Sequence, residues 1–402
     1  MADWLATLDS NQTFKRAVNR GMILDALRQG PTSRLGLHKQ FGIRLSTVGE
    51  LIEEMLAAEL LIETGAAKKA AGERGRPEQQ LALNLDGPFA LGISIDREHL
   101  HLGRVNLAGQ LLTSHTVAVE SNDKSFQLVA QIAREIHHVL PGGEDPLADC
   151  LGVGVALPGI LDVKHGRVML SSAFPGIEKS APLAERVAKA VGVRKAVLGN
   201  VANAYLSAER LYGAARGCRD AVLVLLEAGQ IGAAVLADGR LVRGQFESSA
   251  ELGHFKIEAD GPSCNCGGKG CLETFIGWPY LHRKLVDRGR RDLAEAGAAA
   301  FWTSTHSTCK ELRSEALRRL GRALGSLINL CRPAVVILSG SLAQHQTTVV
   351  DPLTQAMRKD SLPPFAAQLE VKTSTLGADA GILGGAALVL QQVFAVPEVT
   401  AA

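Results

Sequence analysis

Apolar positions along the chain fall into two textures. Between residues 14 and 56 they recur at helical spacing. Phe14, Val18, Met22, Ile23 and Leu27 predict a first helix, stopped by Gly30-Pro31. Ser33 is a suitable N-cap for a short second helix through Leu35 and Phe41, which Gly42 breaks. Val48, Leu51, Ile52, Met55 and Leu56 line one face of a third. Leu60-Leu61-Ile62 then reads as a short strand and Leu81-Ala82-Leu83 as its returning partner. Between them, Gly65 to Gln80 is Gly, Ala, Lys, Arg and Glu with Gly75-Arg76-Pro77 inside, the composition of a mobile loop. Beyond about residue 88 the texture changes. Strand-like apolar runs at 90–95, 151–157, 196–198, 221–226 and 335–338 alternate with helical segments, and many end in Gly. That alternation predicts a layered α/β fold. The roughly 310 residues involved exceed one compact core, so two lobes around a cleft are expected.

Composition refines this picture in three places. The 402 residues suit two or three domains, and 46% hydrophobic with only 4% aromatic means a core built from Ala, Val, Leu and Ile. A net charge of +2 excludes a generally basic surface, so any nucleic-acid contact must come from a local patch. Such a patch exists: Lys15, Arg16, Arg20, Arg28, Arg34, Lys39 and Arg44 face only Asp25 between residues 11 and 48, before Glu50, Glu53, Glu54, Glu59 and Glu63. Two readings stand on pattern alone. One is a helix-turn-helix with a basic leading half, because phosphate contacts need clustered cations. The other is a small helical oligomerisation domain with solvated charges. No apolar run reaches the roughly 18 residues of a membrane span, and Met1 to Arg20 is polar and mixed in charge, unlike a signal peptide. A cytoplasmic protein with no membrane partner is the expectation.

In a reducing cytosol, crowded cysteines suggest a metal more than disulfides. The segment from Glu251 to Glu273 holds His254, Cys264, Cys266 and Cys271, and the Gly-rich turn after Cys-x-Cys lets the chain loop back to deliver the third thiolate. One His and three Cys complete a tetrahedral zinc site with no open position, so one structural Zn2+ per chain is predicted. Cys150, Cys218, Cys309 and Cys331 stand singly and read as core residues.

This segment resembles the zinc-binding signature of the ROK family (repressors, open reading frames and kinases). Leu151 to Pro158-Gly159 is similar to the family's Gly-rich strand and Pro-Gly turn, Ala234 to Gly244 to the strand-turn-strand before its Glu-x-Gly-His element, and Gly377 to Ala386 to its C-terminal helix entrance. The resemblance implies an actin-like ATPase (ribonuclease H-like) fold in two α/β lobes, from residue 89 to 402, assembled as homodimers or homotetramers. It also implies a sugar pocket built from Asn200, Glu251, His254 and Glu273. Carboxylates and amides suit sugars because each can engage two hydroxyls. His254 would hold zinc with one ring nitrogen and donate to a hydroxyl with the other. Capping or support of the zinc loop is the alternative role for Glu251 and Glu273. Ser171 and Ser172 fall where the family's loop approaches the sugar.

A kinase of this family needs the Asp of an Asn-Asp-Ala-Asn element as base, and the matching residues here are Asn200-Val201-Ala202-Asn203. Val201 accepts no proton. The first phosphate loop, Asp-x-Gly-Gly-Thr in the family, matches Ser94-Ile95-Asp96-Arg97-Glu98, where Glu98 would repel a triphosphate. The second, Gly-Thr-Gly-Ile-Gly, matches Ala228-Gly229-Gln230-Ile231-Gly232. No catalytic residue is therefore expected.

Residues 1–88 resemble the winged helix-turn-helix that precedes the sugar domain in the family's repressors. Arg44, Ser46 and Thr47 open the recognition helix and are the candidates for base contact, with Arg44 suited to guanine; Arg34 is a further DNA-binding candidate. Glu50 either accepts from cytosine N4 or points to solvent. Arg74 and Arg76 either enter a minor groove from the wing or belong to a linker. Glu59 replaces a Gly common in the family at the turn before the wing. The expectation is a sugar-responsive transcriptional regulator, in the manner of a repressor, that binds a double-stranded DNA operator and a sugar or sugar phosphate effector. A sugar kinase with an accessory DNA-binding domain, and a regulator controlled by a protein partner, are the alternatives.

Overall fold

The computed structural model describes residues 11–66, 78–96, 98–120, 125–171, 174, 176–227, 230–244, 246 and 250–394. The expected wing residues Arg74, Gly75, Arg76 and Pro77, and Arg97, Ser172 and Ala228-Gly229, lie outside them.

The N-terminal part holds α1 (Asn11–Gln29), β1 (Thr32–Ser33), α2 (Arg34–Phe41), α3 (Leu45–Ala57), β2 (Leu61–Ala66) and β3 (Gln79–Leu83). Ser33 caps α2 as its sequence suggests, its Oγ accepting from the Gly36 N–H at 3.0 Å, and Gly42 ends the helix in the left-handed region at φ +67°. Ile23, Leu24 and Leu27 of α1 and Val48, Leu51, Ile52 and Met55 of α3 are buried together. The strand after α3 starts one residue later than the pattern predicts and runs further. Leu60 N–H is taken by Met55 O at 2.9 Å as part of the helix cap, and only its carbonyl reaches the returning strand, accepting from Asn84 N–H at 2.9 Å. A bulge between Glu63 and Gly65 carries the strand on to Ala66. The sheet order is β1-β3-β2, with both pairings antiparallel.

The rest of the chain forms two five-stranded sheets of like construction. The first contains β4 (Phe89–Ile95), β5 (His99–Asn106), β6 (Leu111–Ala118), β7 (Cys150–Leu157) and β10 (Ala196–Asn200), in the order β10-β7-β4-β5-β6. Its helices are α4 (Ser125–Glu135) and α5 (Leu183–Val191), and β8 (Ile160–Asp162) pairs with β9 (Arg167–Leu170) as a separate ribbon. Helix α6 (Val201–Tyr212) then crosses to the second sheet, β11 (Ala221–Glu227), β12 (Gln230–Ala237), β13 (Arg240–Leu241), β14 (Val335–Ser339) and β15 (Glu370–Thr373), in the order β13-β12-β11-β14-β15. Each sheet joins an antiparallel three-strand meander to parallel strands reached by crossovers. The second sheet is backed by α7 (Glu273–Ile276), α8 (Trp278–Asp287), α9 (Arg291–Glu295), α10 (Gly297–Thr303), α11 (Ser307–Cys331), α12 (Asp351–Asp360) and α13 (Pro363–Gln368). These strands and helices are the two α/β lobes expected.

The last helix, α14 (Ala380–Phe394), returns to the first sheet. The stretch Gly377–Phe394 is long and apolar enough to cross a membrane by length and composition, which corrects the expectation that no such run exists. It is a core helix: Ala380 to Leu390 is buried without a break. Glycines explain how close it lies. A Cβ on Gly154 of β7 would fall 1.8 Å from Gly385 O, and one on Gly92 of β4 2.0 Å from Ile382 O. No other residue fits at either position. One apolar cluster runs from Ile23, Leu24 and Leu27 of α1 through Leu211 of α6 to Leu383, Leu390 and Phe394 of α14, so the N-terminal part and the first lobe share a core.

Candidate functional site

A cavity of about 830 Å³ opens between the lobes. Its floor is set by the end of β7, where Pro158-Gly159 turns with Gly159 at φ +135°. Asn200 closes β10 and caps α6: Oδ1 accepts from Ala202 N–H at 2.9 Å, and Nδ2 donates to Gly159 O at 3.1 Å. One amide thus locks the helix start to the turn and keeps a second Nδ2 hydrogen for the cavity. Val201, the next residue, presents a branched hydrocarbon to the cavity, where proton transfer would need an acceptor.

From the other lobe, Glu251, His254 and Glu273 face the same space, so the four residues expected at the sugar line one cavity. The protein around Glu251 raises its carboxyl above the ordinary range; His254 opposes that shift and Glu273 adds to it. Glu273 Oε2 lies 3.5 Å from Ile231 N–H. Ser171 lines the cavity, but its hydroxyl donates to Pro158 O at 2.7 Å and accepts from Phe174 N–H at 3.3 Å. It holds the loop and has little left for a ligand. Phe174, Lys179, Gln230 and Asn265 also line the cavity and carry no pattern in the sequence that marks them. Lys179 is the notable addition, a cation lining the same cavity as the carboxylates Glu251 and Glu273.

Beside the cavity, donor atoms of His254, Cys264, Cys266 and Cys271 lie within 4.8 Å of one another. His254 Nδ1 is 3.6 Å from Cys264 Sγ, and Cys266 Sγ is 3.6 Å from Cys271 Sγ. Four donors at about 2.0–2.3 Å from a tetrahedral ion stand about 3.3–3.8 Å apart, so the residues fit zinc. The glycines do what the spacing suggests. Gly267 and Gly270 have φ of +86° and +67°, and a Cβ on Gly270 would meet Glu258 O at 1.5 Å. Lys256 Nζ lies 2.9 Å from Cys271 Sγ and 2.8 Å from Lys269 O, a cation placed to stabilise a thiolate.

Where the first phosphate loop was expected, Asp96 Oδ1 instead accepts from the N–H groups of Glu98 and His99 at 2.7 and 2.8 Å. Glu227, at the end of β11, accepts from Ser341 N–H at 3.1 Å. Burial raises the Glu227 carboxyl, and the charge of Asp96 adds to that rise. Two carboxylates here disfavour a triphosphate.

In the N-terminal part, Arg44 stands at the N-cap of α3 without a side-chain cap bond, and Arg44 and Ser46 are exposed with Thr47 half-buried. Arg34 is engaged: it donates to Glu53 at 2.7 Å and Glu63 at 3.0 Å. Glu50 points outward and pairs with Arg16 at 3.1 Å, while Arg16 also binds Glu54. Leu45, which no pattern in the sequence marks, is 50% exposed at the first turn of α3, off the apolar face of that helix.

Residues 90–392 match the ROK family model. The chain is 27% identical to the DNA-binding transcriptional repressor Mlc of Escherichia coli, covering 94% of this chain and 93% of that one. It is 30% identical to the glucokinase of Thermotoga maritima over 75% of this chain and 98% of the kinase. Among solved structures, a ROK family transcriptional regulator described as a homologue of E. coli Mlc superposes with a TM-score of 0.79 at 25% identity, covering 95% of this chain and 97% of that one.

Proposed function

We propose, from the premise that the chain belongs to the ROK family, that it is a sugar-responsive DNA-binding transcriptional regulator, a repressor in type, whose kinase-like domain has lost catalysis. The observation that carries this reading is Val201. The polar wall of the cavity is kept in Asn200, Glu251, His254 and Glu273, while the position that needs a proton acceptor holds a hydrocarbon. The extent of the matches supports it too. The Mlc match takes in nearly the whole chain, whereas the glucokinase match leaves out about the length of the N-terminal part.

In this reading residues 1–88 are a winged helix-turn-helix. Helix α3 lies in the major groove with Arg44, Ser46 and Thr47 at the base edges, and Leu45 beside them offers an apolar contact for a thymine methyl. Arg34 serves by holding α2 to α3 and β2, and turns to phosphate only by giving up Glu53 and Glu63. Arg74 and Arg76 remain the proposed wing contacts. In residues 89–402 the sugar sits in the interlobe cavity. Zinc, held by His254 Nδ1 and the three thiolates, supplies a fixed loop; His254 Nε2 is left to meet a hydroxyl. Lys179 suits a ligand that carries phosphate. Two such chains on a pseudo-palindromic operator would convert cleft closure into a change of half-site spacing.

Calorimetric titration of the zinc-loaded protein tests this, with hexoses, pentoses, amino sugars, their phosphates, and ATP. One sugar binding without heat from ATP is the expected result. ATP-dependent phosphorylation of any sugar would overturn it, and silence across the panel would move the effector to a protein partner.

A further inference from the structure

We propose that Asp96, His99 and His101 form a second metal site, separate from the cysteine site, for a divalent transition metal held by two imidazoles and one carboxylate. Their donor atoms lie within 4.8 Å of one another. The local fold builds this cluster. His99 and His101 are two apart on β5 and therefore project from the same face. Asp96 sits in the tight turn that joins β4 to β5, where its N–H bonds His99 O at 3.0 Å. The N–H groups of Glu98 and His99 pin Asp96 Oδ1 and aim the carboxylate along the strand.

Both ring nitrogens of His101 are held in place. Its Nδ1 meets Thr116 Oγ1 at 3.1 Å on the neighbouring strand β6, and its Nε2 faces Asp96 Oδ2 at 3.2 Å. In the metal-free chain the Thr116 hydroxyl donates to Nδ1 and Nε2–H donates to Asp96 Oδ2; on metal binding the ion replaces that Nε2 proton, and Nδ1–H donates to Thr116 Oγ1 instead. His99 supplies the third donor: its Nδ1 is 3.9 Å from Asp96 Oδ1, the other oxygen of the same carboxylate, too long for a hydrogen bond. The surroundings carry negative charge, since Glu227 is close enough to feel Asp96. Two imidazoles and a carboxylate select the borderline divalent metals (zinc, cobalt, nickel, copper) over magnesium or calcium. All three residues are partly open to solvent, which leaves positions on the metal for water or an anionic ligand.

The other histidine cluster, His115, Glu135 and His138, is weaker. Arg134 Nε already holds Glu135 at 2.9 Å, and a guanidinium beside the ligands repels an ion. It serves as the control.

The test is equilibrium dialysis of the full chain against free Co2+ at micromolar concentration, read by elemental analysis and visible absorption. The first equivalent fills the cysteine site and brings thiolate-to-cobalt charge transfer. A second equivalent that adds no such band is expected, and Asp96→Asn, His99→Gln and His101→Gln should each weaken it by at least about tenfold. His138→Gln should leave it unchanged. A single equivalent in the parent chain overturns the proposal. So does a second equivalent that survives Asp96→Asn and His101→Gln, or one lost with His138→Gln.

Discussion

Arg28 of α1 donates from its guanidinium to the main-chain oxygen of Leu211, next to the last residue of α6. The same guanidinium binds Asp25 and lies 5.9 Å from the Tyr212 ring and 5.6 Å from the Phe394 ring. Helix α6 starts at Asn200 in the interlobe cavity and ends against the N-terminal helices, so one rigid element touches both. Its other flank packs on the second sheet through Ala202 and Leu206. Movement of the lobes about the cavity has a direct mechanical path to α1.

Arg28→Ala should cost about 1.5–3 kcal/mol, the worth of a hydrogen bond to a charged group in a part-buried site. In denaturant melts the N-terminal helices should unfold earlier than the lobes. The effector that calorimetry identifies should still bind with unchanged affinity while its influence on operator affinity falls several-fold by anisotropy. Equal loss of both would show that Arg28 only supports the fold.

Lys256→Ala should leave one metal equivalent at the cysteine site but weaken it by about 10–100-fold, as loss of a partner to a ligating atom does. Competition against a chelating dye measures this. An unchanged affinity would mean the ammonium serves only the Lys269 carbonyl.

Glu59 ends α3 at φ +59°, in the left-handed region that costs a side chain energy, and its side chain is exposed. Glu59→Gly should stabilise the chain by about 0.5–1 kcal/mol net of the added unfolded-state entropy. A fall in melting temperature would contradict it.

Glu209 of α6 is fully buried, and its Oε2 accepts from Ala214 N–H at 2.6 Å. Burial raises its pKa, with Ser374 and Ala214 pulling back. The folded chain therefore holds this proton more tightly than the unfolded chain, whose Glu titrates near about 4.3. The contribution is favourable below that value and is lost as pH rises through the raised folded value. Glu209→Gln removes the ionisation, so the variant should gain on the parent in melts run from pH 4 to pH 7. A constant difference across that range would place the effect elsewhere.

Much of this was legible in the sequence where a local rule decides the outcome. Ser33 and Gly42 marked the ends of α2, and the donors His254, Cys264, Cys266 and Cys271 were close in sequence and are close in space. Asn200, Glu251 and Glu273 were reachable only through resemblance, since no period ties residues on two lobes to one cavity. Facts set by distant partners were hidden. Arg34 looked available because Glu53 and Glu63 are 19 and 29 residues away. Leu60 looked like a strand residue because its capping role depends on a turn that Glu59 makes. Resemblance put Ser171 near the sugar but could not show that its hydroxyl is spent on Pro158 O, 13 residues back.

The acidic run on α3 has a last consequence, for thermodynamics. Arg16 and Arg34 already have Glu50, Glu54, Glu53 and Glu63 as counterions, fixed to the chain itself. Binding to DNA is driven by the release of condensed ions from the duplex, in proportion to the phosphates newly neutralised. A helix that brings its own anions neutralises few of them. Affinity for arbitrary DNA should then be low and only shallowly dependent on salt, which leaves discrimination between sites to the base contacts proposed for Arg44, Ser46 and Thr47, and little to general attraction to the polyanion.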